Sequence, residues 1–379
     1  MTDCVLNELG IICALGAGKS EVFSSLLAGS TRPGPELPAL RQTDARFQSR
    51  NNRLLQHALD QIRGPVADCI ARYSESRVAV VLGTSTSGIG EAEEAFARRG
   101  ADGRLPDGFH YGQMELGSPS EFLSRELGLS GPAYTLSTAC SSSAKALLSA
   151  KRLLALGLCD AVVAGGADSL CRFTAAGFSA LASLSPERCN PFSRNRRGIH
   201  IGEGAALFLI TREGRGARLL GGGESSDAYH VSAPQPQGAG ARAAMRGALA
   251  QAGLGPGEID YLNLHGTGTP LNDAMEAAAV DTALGLAVPC SSTKPLSGHA
   301  LGAAGALEAA FCWLLLCDQN PEGRLPAQVW DGELDPLLPR LALVPRGFRR
   351  GEPLSTALSN SFGFGGSNAT VLLGRGRDQ

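Results

Sequence analysis

The chain is poor in aromatic residues, in histidine and in net charge. Phe, Trp and Tyr make up only 5% of its 379 residues, there are 6 histidines, and the formal net charge is −2. A charge so close to zero creates no global basic field, which argues against a nucleic-acid-binding protein. Hydrophobic residues make up 43% and charged residues 18%, a balance typical of a compact globular protein.

Long apolar runs are also missing. No run reaches the roughly 18 residues that a membrane-spanning helix needs. The best candidate, Ala309–Cys317, is short and bounded by Glu308 and Asp318, so it predicts a buried helix. The N-terminal segment has acidic residues at Asp3 and Glu8 and does not resemble a secretory signal. We therefore expect no membrane association.

The ten cysteines show no CxxC pair and no regular spacing. A chain of this length can bury a substantial core without cross-links, so this pattern predicts reduced thiols and a cytoplasmic protein. It also predicts no metal site, because HxxxH and CxxC are absent and His265 and His299 are far apart in sequence. Gly18-Lys19-Ser20 is not a phosphate loop, because Cys13 stands where that motif requires glycine.

Short apolar strands alternate with helical stretches along most of the chain. Strands are predicted at 77–82, 133–137, 160–165, 205–210, 259–264, 355–359 and 369–373, and a helix at 141–156. This alternation indicates an α/β fold with sheets covered on both faces.

A Gly/Arg-rich stretch at 213–223 predicts a soft boundary between two halves, residues 1–212 and residues 213–379. Each half contains a strand, a polar elbow and an Ala/Leu-rich helix, at 134–156 and at 289–310. This echo favours an internal duplication, although α/β proteins also repeat such units without one.

Cys140 stands where a predicted strand gives way to a helix, in Ser137-Thr-Ala-Cys-Ser-Ser-Ser. Free amide N–H groups and the positive end of a helix dipole at such an elbow stabilise a thiolate, and they also hold an oxyanion on an attacked carbonyl. A cysteine taken alone is more often a small buried core residue. The elbow is what favours a nucleophile.

Two histidines occupy loops that suit catalysis. His265 follows an apolar strand and opens a loop in which the hydroxyls of Thr267 and Thr269 could bind a polar ligand. Lys294 and His299 stand at the second elbow, ahead of a helix. An isolated turn histidine is as often satisfied by its own loop, and a lysine is usually a solvated charge.

A glycine-rich turn, Asn360–Asn368, separates the last two predicted strands. Its glycines let backbone N–H groups approach a ligand. The aromatic rings of Phe362 and Phe364 favour a mobile flap, and a tight hairpin is the alternative.

Taken in order, these segments resemble the β-ketoacyl-acyl carrier protein synthases of the thiolase-like superfamily. The similarity covers most of the chain and rests on six motifs: Ser137–Ala144, Asp160–Asp168, Gly202–Ala205, His265–Pro270, Lys294–Gly305 and Asn360–Gly366. One Cys with two His is the pattern of the elongating enzymes, whereas initiating enzymes have Asn for one His and thiolases have a second catalytic Cys. The resemblance implies a thiolase-like fold with two related α/β halves in five αβαβα layers.

The same resemblance implies a decarboxylative condensation of malonyl-carrier protein with an acyl group held on Cys140. His265 and His299 would stabilise the enolate, and no cofactor would be needed beyond the phosphopantetheine of the acyl carrier protein. Further residues implied in catalysis are the oxyanion-hole N–H groups of Cys140 and Phe364, catalytic Lys294, and the supporting acids Asp273 and Glu308.

Substrate contacts are implied in the same way. Thr267 and Thr269 would bind the phosphopantetheine arm, and Phe364 would gate the acyl pocket. The residues implied to line that pocket are Phe178, Phe362, Phe364 and Thr86.

The resemblance also implies a homodimer, or a heterodimer with a related ketosynthase-like subunit, with the strand near Asp160–Gly165 at the interface. Carrier proteins are acidic, and Arg46, Arg50 and Arg53 would share one helix face that could receive one. A merely solvated face is the alternative.

Departures from the family pattern bear on the pathway. Ser193 and Arg197 replace acidic residues in Pro191–Gly198, the N-terminal strand lacks the usual Thr-Gly, and the chain is shorter than typical members. These departures favour a specialised polyene or polyketide pathway over housekeeping fatty-acid synthesis.

Two other functions compete: a non-catalytic subunit like a chain length factor, and a thiolase or acyltransferase acting on coenzyme A. The first usually lacks the nucleophile, and the second requires another catalytic Cys.

Overall fold

The computed structural model describes residues 3–32 and 36–376, and its strands and helices alternate along the chain. The strands are β1 (Val5–Cys13), β2 (Gly16–Ala17), β3 (Val78–Gly83), β4 (Ala133–Leu136), β5 (Ala161–Asp168), β6 (Gly204–Thr211), β7 (Ala217–Ser226), β8 (Tyr261–Asn263), β9 (Cys290–Ser291), β10 (Thr356–Gly363) and β11 (Ser367–Gly374). The helices are α1 (Lys19–Ala28), α2 (Arg50–Asp60), α3 (Arg63–Tyr73), α4 (Ile89–Ala97), α5 (Ser118–Glu126), α6 (Ser142–Ala155), α7 (Arg172–Ala180), α8 (Ala239–Ala252), α9 (Pro270–Leu284), α10 (Lys294–Ser297) and α11 (Ala304–Leu316). The predicted strands and the two predicted helices are confirmed, with bounds that differ by a few residues.

Ten of these strands form two groups with the same internal order. The first group runs β4-β3-β5-β6-β1 and the second β9-β8-β10-β11-β7. In each group the first three strands are parallel and the remaining two are antiparallel to their neighbours. A short contact between β1 and β7 joins the groups. The shared order supports the predicted duplication, while the division at residue 212 stays a prediction.

Helices cover both faces of each group of strands. Helices α2, α3 and α5 pack on the first group, and α8 packs on β7 and β11 with α9 beside it. Helices α6 and α11 contact each other and strands of both groups, so they form the middle layer. The resulting order is the αβαβα arrangement of a thiolase-like fold, as the resemblance implied.

Strand β3 illustrates why this sequence forms the layers. Val78, Val80 and Leu82 pack in the apolar cluster under α2 and α5, whereas Ala79 and Val81 pack in the central cluster around α6 and α11. Successive side chains of a strand point to opposite faces, so a wholly apolar run requires cover on both. Burying each of the larger side chains contributes about 1.5–3 kcal/mol.

Most of the stretch 213–223 belongs to β7, where a Cβ on Gly223 would lie 1.8 Å from the Ala244 carbonyl oxygen of α8. One expectation about this fold is corrected. The strand near Asp160–Gly165 is not at a surface, because β5 is hydrogen-bonded to β3 on one side and to β6 on the other. Within the described ranges the free edge of the first group is β4, which pairs with β3 alone.

None of the helices in those ranges is long and apolar enough to cross a membrane.

Candidate active site

Cys140 lies in the elbow between β4 and α6, as the sequence predicted. Ala139, the residue before it, has a φ of 54°, a left-handed conformation that non-glycine residues rarely adopt. Ser142 holds this turn, because its hydroxyl oxygen accepts from Thr138 N at 2.8 Å and its hydroxyl donates to Ala139 O at 2.6 Å. The serine-rich sequence after Cys140 therefore fixes the direction of the thiol.

The sulfur of Cys140 is buried and lies 3.1 Å from Nε2 of His299. Burial raises the pKa of this thiol to about 11, although the Lys294 charge and the Phe364 backbone N–H act in the opposite direction. The expected resting thiolate is therefore not favoured, since desolvation outweighs these stabilising groups. At neutral pH the thiol holds its proton until a base removes it.

His299 and His265 face each other beside that sulfur. Their ring centroids are 5.3 Å apart with the rings nearly perpendicular, and the donor atoms of Cys140, His265 and His299 all lie within 4.8 Å of one another. Burial, followed by the positive charge of Lys294, holds the pKa of both imidazoles well below its usual value. Both rings are therefore neutral at physiological pH, as the proposed enolate chemistry requires.

Backbone contacts fix the loop that carries each histidine. Glu276 on α9 accepts from the backbone N–H of His265 at 2.8 Å and of Gly266 at 2.7 Å. His299 is tied to the strand-like segment before β6, where its N–H donates to His200 O at 2.6 Å and its carbonyl accepts from Gly202 N at 3.1 Å. Glu276 is not among the predicted site residues, because nothing in its local sequence shows that the loop at 265–266 folds back over α9.

Lys294 and Glu308 form an ion pair with both side chains shielded from solvent. The same ammonium donates to the carbonyl of His265 and lies 3.3 Å from its Nδ1 atom. Burial raises the pKa of Glu308 to about 7, against the effect of Lys294. The structure thus brings Lys294, Glu308 and His265 together, as the resemblance implied.

Asp273 belongs to a different part of the site. Its carboxylate accepts from the backbone N–H of Phe192 at 2.8 Å and of Gly268 at 3.2 Å, and it contacts neither Lys294 nor Glu308 within the described ranges. Asp273 instead holds the loop of Thr267 and Thr269 that follows His265, and its role as a supporting acid stays a prediction.

A cavity of about 220 Å³ leads to the three catalytic side chains. The backbone N–H of Phe364 is directed at the Cys140 sulfur, and its ring lies 5.4 Å from that of Phe178. The cavity is lined by nearly all the residues predicted to bind substrate: Phe178, Phe362, Phe364, Thr267 and Thr269.

Thr86 is not one of the described residues that line this cavity. It is fully buried, and its hydroxyl donates to the carboxylate of Asp168 at 2.7 Å. The prediction that Thr86 contacts substrate is therefore corrected, because its side chain is buried against Asp168 outside the cavity. Asp168 is a further buried polar residue that the predicted site did not include.

The three donor atoms around Cys140 have the composition of a metal site, although the two histidines are far apart in sequence. Separation along the chain therefore does not exclude a shared metal ion, because the fold brings these side chains together. The ammonium of Lys294, 3.3 Å from His265 Nδ1, opposes a divalent cation there by charge repulsion. That the site binds no metal stays a prediction.

The departures at Ser193 and Arg197 lie near this site without disrupting it. Arg196 pairs with Asp335 at 2.6 Å, and both side chains are nearly buried. Ser193 donates to Asp331 at 3.1 Å. Asp331 and Asp335, from a later segment, therefore supply the negative charge that Pro191–Gly198 lacks.

The predicted arginine face does not form. Arg46 lies in a separate 3₁₀ turn, Ala45–Phe47, and pairs with Asp44 at 2.7 Å. Arg50 begins α2 and pairs with Glu203, while Arg53 follows one turn later. Since the segment is not one helix and its first two cations are paired, this prediction is wrong.

These features define a class of protein. A thiol at a strand–helix elbow, with two neutral imidazoles beside it and a cavity leading to it, belongs to an enzyme that holds acyl groups as thioesters.

Comparison with known proteins identifies the family. The family model "Beta-ketoacyl synthase, N-terminal domain" matches residues 66–215 and "Beta-ketoacyl synthase, C-terminal domain" matches residues 217–322. The chain is similar to the 3-oxoacyl-[acyl-carrier-protein] synthase 2 of Coxiella burnetii (30% identity over 98% of both chains) and of Rhizobium meliloti (41% identity over 65% of this chain and 62% of that protein). The chain belongs to the β-ketoacyl synthase family, whose members are acyl-transferring condensing enzymes.

Solved structures agree with this assignment. A ketosynthase (ApeO) in complex with its chain length factor (ApeC) from Xenorhabdus doucetiae matches with a TM-score of 0.92 and 46% identity, covering 99% of this chain and 98% of that one. The ishigamide ketosynthase/chain length factor matches with a TM-score of 0.88 and 27% identity over 99% of both chains. The thiolase-like fold and the elongating Cys-His-His type are thus confirmed.

Proposed function

We propose that Cys140, His265 and His299 of this chain carry out the decarboxylative condensation of a malonyl unit with an acyl group, both delivered by acyl carrier protein. The observation that carries the proposal is the 3.1 Å separation between the Cys140 sulfur and Nε2 of His299. A neutral thiol and a neutral imidazole at this distance form a nucleophile and its base.

In the first half-reaction the sulfur of Cys140 attacks the thioester carbonyl of an acyl-carrier protein. Nε2 of His299 takes the thiol proton, and the backbone N–H groups of Cys140 and Phe364 hold the oxyanion. The carbon–sulfur bond to the carrier then breaks, and the proton passes to the departing phosphopantetheine thiolate. The products are acyl-Cys140 and free carrier protein.

In the second half-reaction malonyl-carrier protein occupies the same cavity, with its phosphopantetheine arm along Thr267 and Thr269. Loss of CO₂ leaves an enolate on the thioester oxygen, which accepts a hydrogen bond from His265 and, once His299 has taken the tautomer protonated on Nε2, from His299 as well. Neutral donors in a water-excluded cavity are suited to this developing charge. The carbanion attacks acyl-Cys140, which releases a 3-oxoacyl-carrier protein, and the Cys140 thiolate regains a proton from solvent.

We further propose that the chain works as a dimer. The edge of β4 is free within the described ranges, and unpaired strand edges readily accept another chain. The nine residues of α7, all of them described, include none that is buried, and Phe173 on this helix is 66% exposed. Apolar surface of this kind marks a protein interface.

The partner in this dimer is either a second copy or a chain-length-factor-like subunit, since two of the similar structures pair a ketosynthase with a chain length factor. Because these complexes contain a chain length factor, a non-catalytic role is the second candidate for this chain. The intact Cys140–His299 contact favours the catalytic role. We also propose a specialised polyene or polyketide pathway, on the basis of Ser193 and Arg197, and a cytoplasmic location, on the basis of ten cysteines that form no CxxC pair.

Intact-mass spectrometry after incubation with a panel of acyl-carrier proteins tests the catalytic proposal. The wild-type chain and a Cys171→Ala control, which removes a more exposed thiol, should gain the mass of the acyl group. Cys140→Ala should gain nothing and should form no 3-oxoacyl product. Acylation that persists in Cys140→Ala would rule out the mechanism, and acylation of a co-purified partner alone would assign this chain the non-catalytic role.

A further inference from the structure

Asp168 is a fully buried carboxylate at the end of β5, with no lysine or arginine paired to it within residues 3–32 and 36–376. Five hydrogen-bond donors surround it instead of a cation. Burying a carboxylate without a counter-ion is costly, and several donors are needed to offset that cost. A group held at this cost performs a task that an apolar residue cannot.

The two oxygens of Asp168 hold different segments. Oδ1 accepts from the loop after β3, with Thr84 Oγ1 at 2.6 Å, Ser85 N at 2.9 Å, Thr86 N at 2.8 Å and Thr86 Oγ1 at 2.7 Å. Oδ2 accepts from Ala303 N at 3.0 Å and shares the Ser85 N–H at 3.1 Å. One carboxylate thus links the β3 loop to the turn at Ala303.

Ala303 ends the 3₁₀ turn Leu301–Ala303, which begins two residues after His299. Leu301 has a φ of 47°, so the turn includes a strained backbone conformation that needs external support. The turn also packs closely on the β3 loop, because a Cβ on Gly302 would lie 2.7 Å from Ser85 N. The Ala303 N–H also donates to Ala300 O at 2.9 Å within the turn, and Asp168 Oδ2 is the acceptor that ties this N–H to β5.

We infer that Asp168 is a positioning residue, which holds the imidazole of His299 against the Cys140 sulfur through Oδ2 and the backbone of Ala303. The inference rests on the proposed role of His299 as the base for Cys140. Asp168 therefore affects the acylation step and not the binding of the carrier protein, because it contacts the turn after His299 and lies outside the cavity.

Asp168→Asn isolates this link. The amide oxygen is expected to stay on the Oδ1 side, where four donors converge, so the amide NH₂ faces Ala303 N–H and two donors oppose each other. The single-turnover rate of Cys140 acylation, expressed per titrated active site, should fall about 10- to 100-fold, since small misplacements of catalytic groups have effects of that size. KM for the carrier protein should remain as in wild type.

Two variants control for a merely structural effect. Thr86→Val removes one bond on the Oδ1 side and the 3.3 Å bond that Thr86 Oγ1 accepts from Ser169 N, but leaves the Ala303 bond, so its acylation rate per site should stay within about twofold of wild type. Asp168→Glu keeps the charge and both acceptors, and its rate should lie closer to wild type than that of Asp168→Asn. If Asp168→Asn merely lowers the fraction of titratable sites, with an unchanged rate per site, the inference is overturned.

His299→Ala separates this inference from the proposed function. Slow acylation of Cys140 in His299→Ala, together with a wild-type acylation rate in Asp168→Asn, overturns only the role of Asp168. An unimpaired acylation rate in His299→Ala overturns the proposed base and, with it, the inference. Slow acylation in both variants, together with a near-wild-type acylation rate in Thr86→Val, supports the proposed base and the role of Asp168.

Discussion

The Nζ atom of Lys294 lies 3.3 Å from Nδ1 of His265, and both side chains are buried. Glu308 pairs with the same ammonium and so stabilises its charge where burial opposes it. The consequence extends beyond His265, because this charge lowers the pKa of both imidazoles and of the Cys140 thiol. Desolvation is the larger cause at all three groups, and Lys294 adjusts their protonation further without entering the cavity.

Lys294→Met should raise the pKa of Cys140 further, because it removes the charge that partly opposes desolvation. At a fixed pH near 8 the rate of Cys140 alkylation by iodoacetamide should drop about tenfold for each unit of rise in the pKa. Lys19→Met, which removes a half-buried lysine paired with Glu8, should leave the rate unchanged. Equal alkylation profiles for Lys294→Met and wild type would show that Lys294 does not tune the thiol.

Phe364→Ala should shorten the lifetime of the acyl-Cys140 intermediate several-fold. The backbone N–H that faces the sulfur remains, but the ring that packs 5.4 Å from Phe178 is lost, and water can then reach the thioester. Hydrolysis of the isolated acyl-enzyme, followed by intact mass, measures this effect. Phe96→Ala, which truncates an exposed ring outside the cavity, is the control and should not alter the lifetime.

Glu276 predicts a particular dependence of stability on pH. Burial raises the pKa of its carboxyl from 4.5 to about 7, so between these values the folded state holds a proton that the unfolded state has released. The contribution of Glu276 to the free energy of unfolding therefore falls as the pH rises from about 4.5 to 7 and is constant above that range. Thermal unfolding at closely spaced pH values should show this decline in wild type and a weaker decline in Glu276→Gln. Parallel curves for the two proteins would contradict the assignment.

Chelation should not affect condensation. The donor atoms of Cys140, His265 and His299 are close enough to share an ion, yet Lys294 places a positive charge beside them. Activity after dialysis against EDTA should equal that of the untreated enzyme, whereas added Zn²⁺ should inhibit only at high concentration by occupying the thiol. Loss of activity on chelation, restored by a stoichiometric metal, would contradict the metal-free mechanism.

The sequence motifs predicted the residues that take part in chemistry better than they predicted the neighbours that hold them. Cys140, His265, His299 and Lys294 each follow a local pattern of strand, elbow or loop that can be recognised along the chain. Glu276 has no such pattern, and the motif Asp160–Asp168 does not show what its last residue contacts, because both acids accept from backbone N–H groups of distant loops. Which N–H groups lie unpaired near a given acid depends on tertiary packing alone.

The same limit explains the predictions that were wrong. Arg46, Arg50 and Arg53 have helical spacing, but a 3₁₀ turn and the start of α2 divide the segment. The strand at 160–165 was found where predicted, but its place between β3 and β6, and not at an edge, follows from the order of the sheet. Spacing describes neighbours along the chain, whereas pairing and strand order depend on the rest of the fold.

The sequence alone determined the alternation of buried strands and helices, the strand–helix elbow of Cys140 and the loop positions of both histidines, because these depend on side-chain polarity and backbone preferences over a few residues. Only the tertiary structure decided that His299, 159 residues after Cys140, lies 3.1 Å from its sulfur. Burial also decided the protonation of the site, since the pKa shifts of Cys140, His265 and His299 arise first from desolvation. Desolvation depends on what surrounds a group in space, and that is set by the packing of the five layers.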